Sequence, residues 1–166
     1  MPRVRLAIVG DTHMPKGARE LPAACVEAMR ESDLIVHTGD FTGVETLELF
    51  ESIGPPLVAV HGNVDVPEVA ARLPQRADFE PVAGVSVAVV HDGGPKAGRL
   101  ARLRRMFPRA DAVLFGHSHL PLHETVEGGF QIFNPGSPTE RRRAPRHSMG
   151  IGEIGRNGLR LTHVWF

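Results

Sequence analysis

Short apolar runs recur along the chain at Val4 to Val9, Leu34 to Val36, Leu57 to Val60, Val85 to Val90 and Val113 to Phe115. Runs of this length bounded by polar and turn residues predict strands. Between the first three, the apolar positions move to helical spacing over Leu21 to Arg30, Val44 to Ser52 and Pro67 to Leu73. Strands alternating with helices are the rhythm of βαβ units, so a parallel sheet is expected up to about Leu73. From Asp78 onward, Ala83-Gly84, Gly128-Gly129 and Asn157-Gly158 each separate two strand-like runs, as hairpin turns do. A second, largely antiparallel sheet is therefore predicted, interrupted by one helix with Leu100, Leu103 and Phe107 on its apolar face. The chain shows no internal repeat and no low-complexity segment.

Each apolar run is followed at once by side chains able to bind a hard or borderline metal ion. Asp11 and His13 follow the first, Asp40 the second, Asn63 the third, His91 the fourth, and His117 and His119 the fifth. Ligand sites in open α/β sheets form beyond the carboxyl ends of strands, so these five exits can converge on one crevice. In extended chain, residues two apart project to one side about 6.6 Å apart. Asp11-Thr-His13 and His117-Ser-His119 can thus each aim two side chains at one place. Paired catalytic ions sit about 3.5 to 4 Å apart, so an HxH pair is sized to serve one ion with each ring. Asp40 is the candidate to bridge them, since Gly39 allows a tight exit and close backbone approach. Taken singly, Asp40 also reads as a helix N-cap before Val44, and Asn63 as a turn residue. The order of the set, with no member inside a helical stretch, favours a two-metal enzyme.

Composition narrows the picture. The 166 residues suit one domain spanning 1 to 166. Nineteen basic residues balance 19 acidic ones, so nucleic-acid or anionic-membrane binding has no support. No stretch approaches the roughly 20 apolar residues of a membrane span, and Met-Pro-Arg-Val-Arg leads directly into a strand, so a cytoplasmic location is expected. Cys25, the sole cysteine, shares a helical face with Leu21, Ala24, Ala28 and Met29, which predicts burial.

Asp11-x-His13, Gly39-Asp40, Gly62-Asn63-x-Asp65, His91 and Gly116-His117-x-His119, in that order, resemble the calcineurin-like metallophosphoesterase superfamily. The chain's length and Asn134-Pro-Gly-Ser137 resemble its small bacterial and archaeal phosphodiesterase branch. The resemblance implies an α/β fold, a four-layer αββα sandwich of two mixed β-sheets flanked by helices. It implies two divalent metal ions per chain, one held by Asp11, His13 and His119, the other by Asn63, His91 and His117, with Asp40 bridging. Manganese or iron is expected, with zinc, nickel and magnesium as alternatives, because N and O ligands without thiolate do not discriminate among them. A bridging hydroxide would attack phosphorus in line, and charge balance with it tilts the substrate toward small phosphodiesters. A phosphomonoesterase acting on nucleotides or phosphoproteins, and a non-catalytic scaffold like the retromer subunit of similar fold, are the alternatives.

Other positions complete the expectation. Many relatives place a histidine after the metal-binding asparagine as leaving-group acid, whereas this chain has Val64. His61 stands where larger members carry a phosphate-contacting arginine, and is the candidate phosphate donor or proton source. His37 is expected to support the site from outside the ligand set, and Asp65 to orient a ligand histidine or cap the stretch after Pro67. Asn63 and Arg141 are expected to contact substrate, Arg141 as the first of the basic run Arg141 to Arg143. Arg99, Arg102, Arg104 and Arg105 read as a solvated helix face, and His163 as a packed residue of a terminal strand. A homodimer is suggested by analogy alone.

Overall fold

The computed structural model describes residues 3–166. Its strands are β1 (Val4–Val9), β2 (Leu34–His37), β3 (Leu57–Ala59), β4 (Arg76–Val82), β5 (Val85–Val90), β6 (Ala112–Leu114), β7 (Leu122–Thr125), β8 (Gln131–Asn134), β9 (Ser148–Gly155) and β10 (Gly158–Trp165). The helices are α1 (Ala23–Arg30), α2 (Val44–Glu51), α3 (Pro67–Arg72) and α4 (Arg99–Met106). All four lie within a few residues of the stretches that helical spacing predicts.

Two five-stranded sheets result, in the orders β10-β9-β1-β2-β3 and β4-β5-β6-β8-β7. Alternate residues of the central strands point to different cores. Leu6 and Ile8 of β1 meet Val87 and Val89 of β5, Ala112 and Leu114 of β6 and Phe133 of β8 between the sheets. Ala7 and Val9 pack outward with Cys25, Met29, Leu47 and Phe50 of α1 and α2, while Ala88, Val113 and Ile132 pack against Leu103 of α4. The molecule is thus the expected αββα sandwich. These strands are apolar on both faces because each face is covered, and each large side chain buried this way contributes about 2 kcal/mol. Cys25 is buried as predicted, and burial pushes its thiol pKa up to about 12.

Two expectations about the second half are corrected. The second sheet is mixed, because β5, β6 and β8 run parallel and only the outer pairs β4-β5 and β7-β8 are antiparallel. The hairpin at Asn157-Gly158 joins the first sheet instead, where β9 pairs antiparallel with β1 along Val4 to Ile8. A turn signal fixes that two strands are neighbours but not which sheet receives them. The α4 arginines are also more engaged than a solvated face. Arg102 donates to the carbonyls of Gly93 and Pro95, Arg99 donates to that of Gly94 and lies over the Phe115 ring, and Arg104 covers Phe130. Two of them therefore tie down the loop that follows β5. Among the described residues, no helix is long and apolar enough to cross a membrane.

Candidate metal centre

The exits of β1, β2, β3, β5 and β6 meet at one end of the sandwich. Asp11, His13 and His119 form one group, and Asp11, Asp40 and His91 a second, each offering ligand atoms within 4.8 Å of one another. Asn63 joins the second group, since its Oδ1 lies 2.9 Å from His91 Nε2 and 3.1 Å from His117 Nδ1. The two rings of the HxH segment turn to different neighbours. The His119 ring faces His13 at 5.0 Å between centroids, and the His117 ring faces His91 at 5.3 Å.

The backbone that produces this is not the extended chain the spacing argument assumes. Asp11, His13, Asp40, His117 and His119 all have positive φ, between 45° and 74°. Side chains other than glycine avoid this region, at a cost of order 1 kcal/mol each, and their concentration here marks a site held against local preference. Backbone bonds across the crevice hold it, from Asp11 N to Gly39 O and from His13 N to Asp40 O, each 3.0 Å. Gly62 is required by close approach, because a Cβ there would meet Asp40 Oδ1 at 2.0 Å. Gly39 (φ 105°) would likewise strike His91 Nδ1 at 2.8 Å if it carried a side chain.

The electrostatics call for cations. Asp11 Oδ2, His13 Nε2 and His119 Nε2 are buried without a hydrogen-bond partner, and all three belong to the first group. Buried polar atoms are otherwise nearly always paired, so three orphans in one cluster fit a bound ion. Desolvation raises the Asp11 carboxyl to about 7, partly opposed by His91, and lowers the His119 imidazole to about 4. In the second group, His91 Nδ1 donates to the Thr38 carbonyl at 2.9 Å, which leaves Nε2 facing Asn63 Oδ1 and, at 3.2 Å, Asp40 Oδ2. Two oxygens that do not donate, converging on one ring nitrogen, suit a metal ion at least as well as a proton. Burial disfavours the Asp40 carboxylate, but the rings of His13 and His91, whose Nε2 atoms lie 3.4 and 3.2 Å from its Oδ2, outweigh it and hold the pKa well below the ordinary range. Asp40 is not a helix cap, because the N-cap of α2 is Gly43.

The remaining predicted residues fall out differently. His37 is wholly buried and stacked on Phe41, and burial holds its pKa well below the ordinary value. Its Nδ1 accepts from Gly39 N, which leaves Nε2 to donate to Thr12 Oγ1, so it ties two ligand-bearing loops together. Asp65 does neither thing expected of it. Its carboxylate accepts the N–H groups of Asp40, Thr42 and Gly62, fastening the β2 exit to the β3 exit, while Val66 is the N-cap of α3. His61 lines an open cleft with Asn63, Gln75, His91 and Asp92. Val64 is exposed. Arg141 is turned back on its own loop, donating to the Ala144 carbonyl at 2.8 Å, whereas Arg142 is one of the charges felt at His119, with His13 and Glu140. His163 packs on Phe133 as expected.

Sequence reasoning assigned no role to Ser137, Thr139 or Glu140. Ser137 Oγ donates to the Asp11 carbonyl and Thr139 Oγ1 to that of Thr12, while the Glu140 carbonyl accepts from His119 Nδ1. The Asn134-Pro-Gly-Ser137 turn was the available signal, but its partners lie more than 120 positions away.

Comparison with known proteins bears on the family and the fold. A probable metallophosphoesterase of Methanothermobacter thermautotrophicus is 32% identical over 82% of this chain and 78% of its own length. Among solved structures, an archaeal phosphodiesterase (17% identity, TM-score 0.76) covers 98% of this chain and aligns over 99% of its own. Chaetomium thermophilum Vps29 (18% identity, TM-score 0.76) covers 98% of this chain and aligns over 94% of its own. At those identities the two structures speak to the fold alone. The calcineurin-like phosphoesterase superfamily domain matches residues 4–157, and with the archaeal relative it establishes that the chain belongs to that superfamily.

Proposed function

We propose that the chain is a two-metal phosphodiesterase in which Asp11, His13 and His119 hold one ion, Asn63, His91 and His117 the other, and Asp40 stands between them. The observation that carries this reading is the three buried, unpartnered donor atoms of Asp11, His13 and His119 beside the second group. When bound, divalent ions supply an activated water and positive charge against the phosphoryl oxygens; manganese or iron suits this donor set. The chain's own part is to orient. The Thr38 carbonyl fixes the His91 tautomer, and Asp65 and Gly62 set the distance between the β2 and β3 exits.

The diester preference rests on charge. Asp11 and Asp40 leave +2 against two divalent ions, and a nucleophile of charge −1 leaves +1, which a diester monoanion matches and a monoester dianion exceeds. Glu140 does not alter this, since its carboxylate is paired with Arg19 at 2.9 Å. Val64 carries no proton for the leaving group, so His61, on the cleft wall, is the proposed donor. With manganese present, bis(4-nitrophenyl) phosphate should be hydrolysed with a higher kcat/KM than 4-nitrophenyl phosphate. Preference for the monoester would make the protein a phosphomonoesterase, and a chain that binds no ion and turns over neither would be a scaffold.

A further inference from the structure

We propose that Glu140 is the positioning residue for the buried half of the metal centre, orienting the rings of both His13 and His119 and setting the affinity of the ion they share with Asp11. The inference rests on the metal-centre reading above and deepens it. Two different parts of Glu140 face the two rings. Its backbone carbonyl accepts a short hydrogen bond from His119 Nδ1, and its carboxylate Oε2 lies 3.6 Å from His13 Nδ1. A ring whose Nδ1 proton points at an oxygen presents the Nε2 lone pair on its other side. His119 does so by hydrogen bond and His13 faces Oε2 at ion-pair distance, while both Nε2 atoms are buried without a hydrogen bond, that of His13 lying 3.4 Å from Asp40 Oδ2. Glu140 Oε2 is itself buried without a hydrogen bond, so nothing but the His13 ring takes up its charge on that side.

The residue is built in. Ser137 Oγ accepts the Glu140 N–H at 2.8 Å, and Thr139 Oγ1 reaches the Thr12 carbonyl at 2.6 Å, so the loop is fastened to the segment that carries Asp11 and His13. Arg19 grips Oε1 at 2.9 Å, and a second hydrogen bond from Arg19 to Lys16 O anchors that guanidinium in turn. The other half of the centre is backed differently. His91 Nδ1 donates to the Thr38 carbonyl and His117 Nδ1 lies against Asn63 Oδ1, both uncharged, and the carboxylate 3.9 Å from His91 Nδ1 is that of Asp11, itself a candidate metal ligand. A carboxylate behind an imidazole raises its basicity as a ligand, so Glu140 strengthens one ion and leaves the other alone.

The test is calorimetric titration of the metal-stripped full chain with Mn2+, with electron paramagnetic resonance to distinguish coupled ion pairs from single ions. For Glu140→Gln, one of two binding steps should weaken by about 10- to 100-fold while the other moves by less than about twofold, and the coupled-pair signal should give way to that of single ions. Glu140→Ala should weaken the same step further, since glutamine keeps an acceptor oxygen for His13. Arg19→Met, which frees the carboxylate without removing it, should produce a smaller loss in that step. The stripped variants should melt with the stripped wild type. Two unchanged steps, or two steps weakened equally, would overturn the proposal, and if the Glu140 variants do not fold, unaltered binding in Arg19→Met does so. A wild type that takes up no ion overturns the metal centre itself, whereas a two-ion wild type matched by its variants overturns the role of Glu140 alone.

Discussion

The two sheets build the centre from different chemistry. Exits from the first sheet carry the oxygen donors Asp11, Asp40 and Asn63 together with His13, and exits from the second carry the rings of His91, His117 and His119. Carboxylates therefore sit on one wall and only imidazole rings on the other. A wall of carboxylates alone would hold hard ions but repel a phosphate, while a wall of rings alone would lack charge to balance two cations. The site exists only where both sheets are packed in register, so the core between them, from Leu6 and Ile8 to Leu114 and Phe133, is also what assembles the chemistry.

At the opposite strand ends the same comparison shows likeness. Asp33, entering β2, accepts the N–H of Arg5 at 2.8 Å, and Asp111, entering β6, accepts that of Ser86 at 2.8 Å. Each sheet thus pins a helix-to-strand turn onto its neighbouring strand with one aspartate. The sheets share the scaffold device and differ in the chemical one.

Removing charge from the first wall should have the largest effect. Asp40→Asn is expected to lower turnover by about a thousandfold, some 4 kcal/mol in the barrier, with a fall in bound metal. Turnover within tenfold of wild type, measured on the diester, would break the division of labour between the sheets. Next comes His61, the proposed proton source at the first sheet's rim. His61→Asn should lower kcat by about a hundredfold or more for an alcohol leaving group, flatten the pH–rate profile and leave metal content unchanged. An identical profile would remove His61 from the chemistry.

Metal uptake should also depend on pH in a definite direction. Burial raises the Asp11 carboxyl from 3.8 to about 7, so below that pH a proton competes with the ion and above it the competition ends. Mn2+ should bind more tightly at pH 8 than at pH 6, as competition with a chelating dye would read out. Smallest are the shared aspartates. Asp33→Ala and Asp111→Ala should each cost about 1 kcal/mol of stability, by denaturant titration, with no change in bound metal. A loss of metal in either would show that scaffold and chemistry are not separable.

The sequence by itself determined the strands, the helices and the donors at their ends, because periodicity and turn chemistry act over a few residues. Val4 to Val9 reads as a strand, and Asp11 and His13 as its functional exit, without knowledge of any partner. Spacing assigned each ring of His117-Ser-His119 its own ion only through an extended chain that the backbone does not adopt, and the family resemblance, not the spacing, implied which ring goes with which group. Only the tertiary structure decided where the Asn157-Gly158 hairpin pairs, why Asp65 braces backbone instead of a histidine, why Arg141 turns away, and that Glu140 stands behind two rings. These depend on contacts such as Thr139 to Thr12, 127 positions apart, whose partners are chosen by packing the whole chain. A hydrogen bond needs atoms within about 3 Å, and local sequence preference carries no information at that separation.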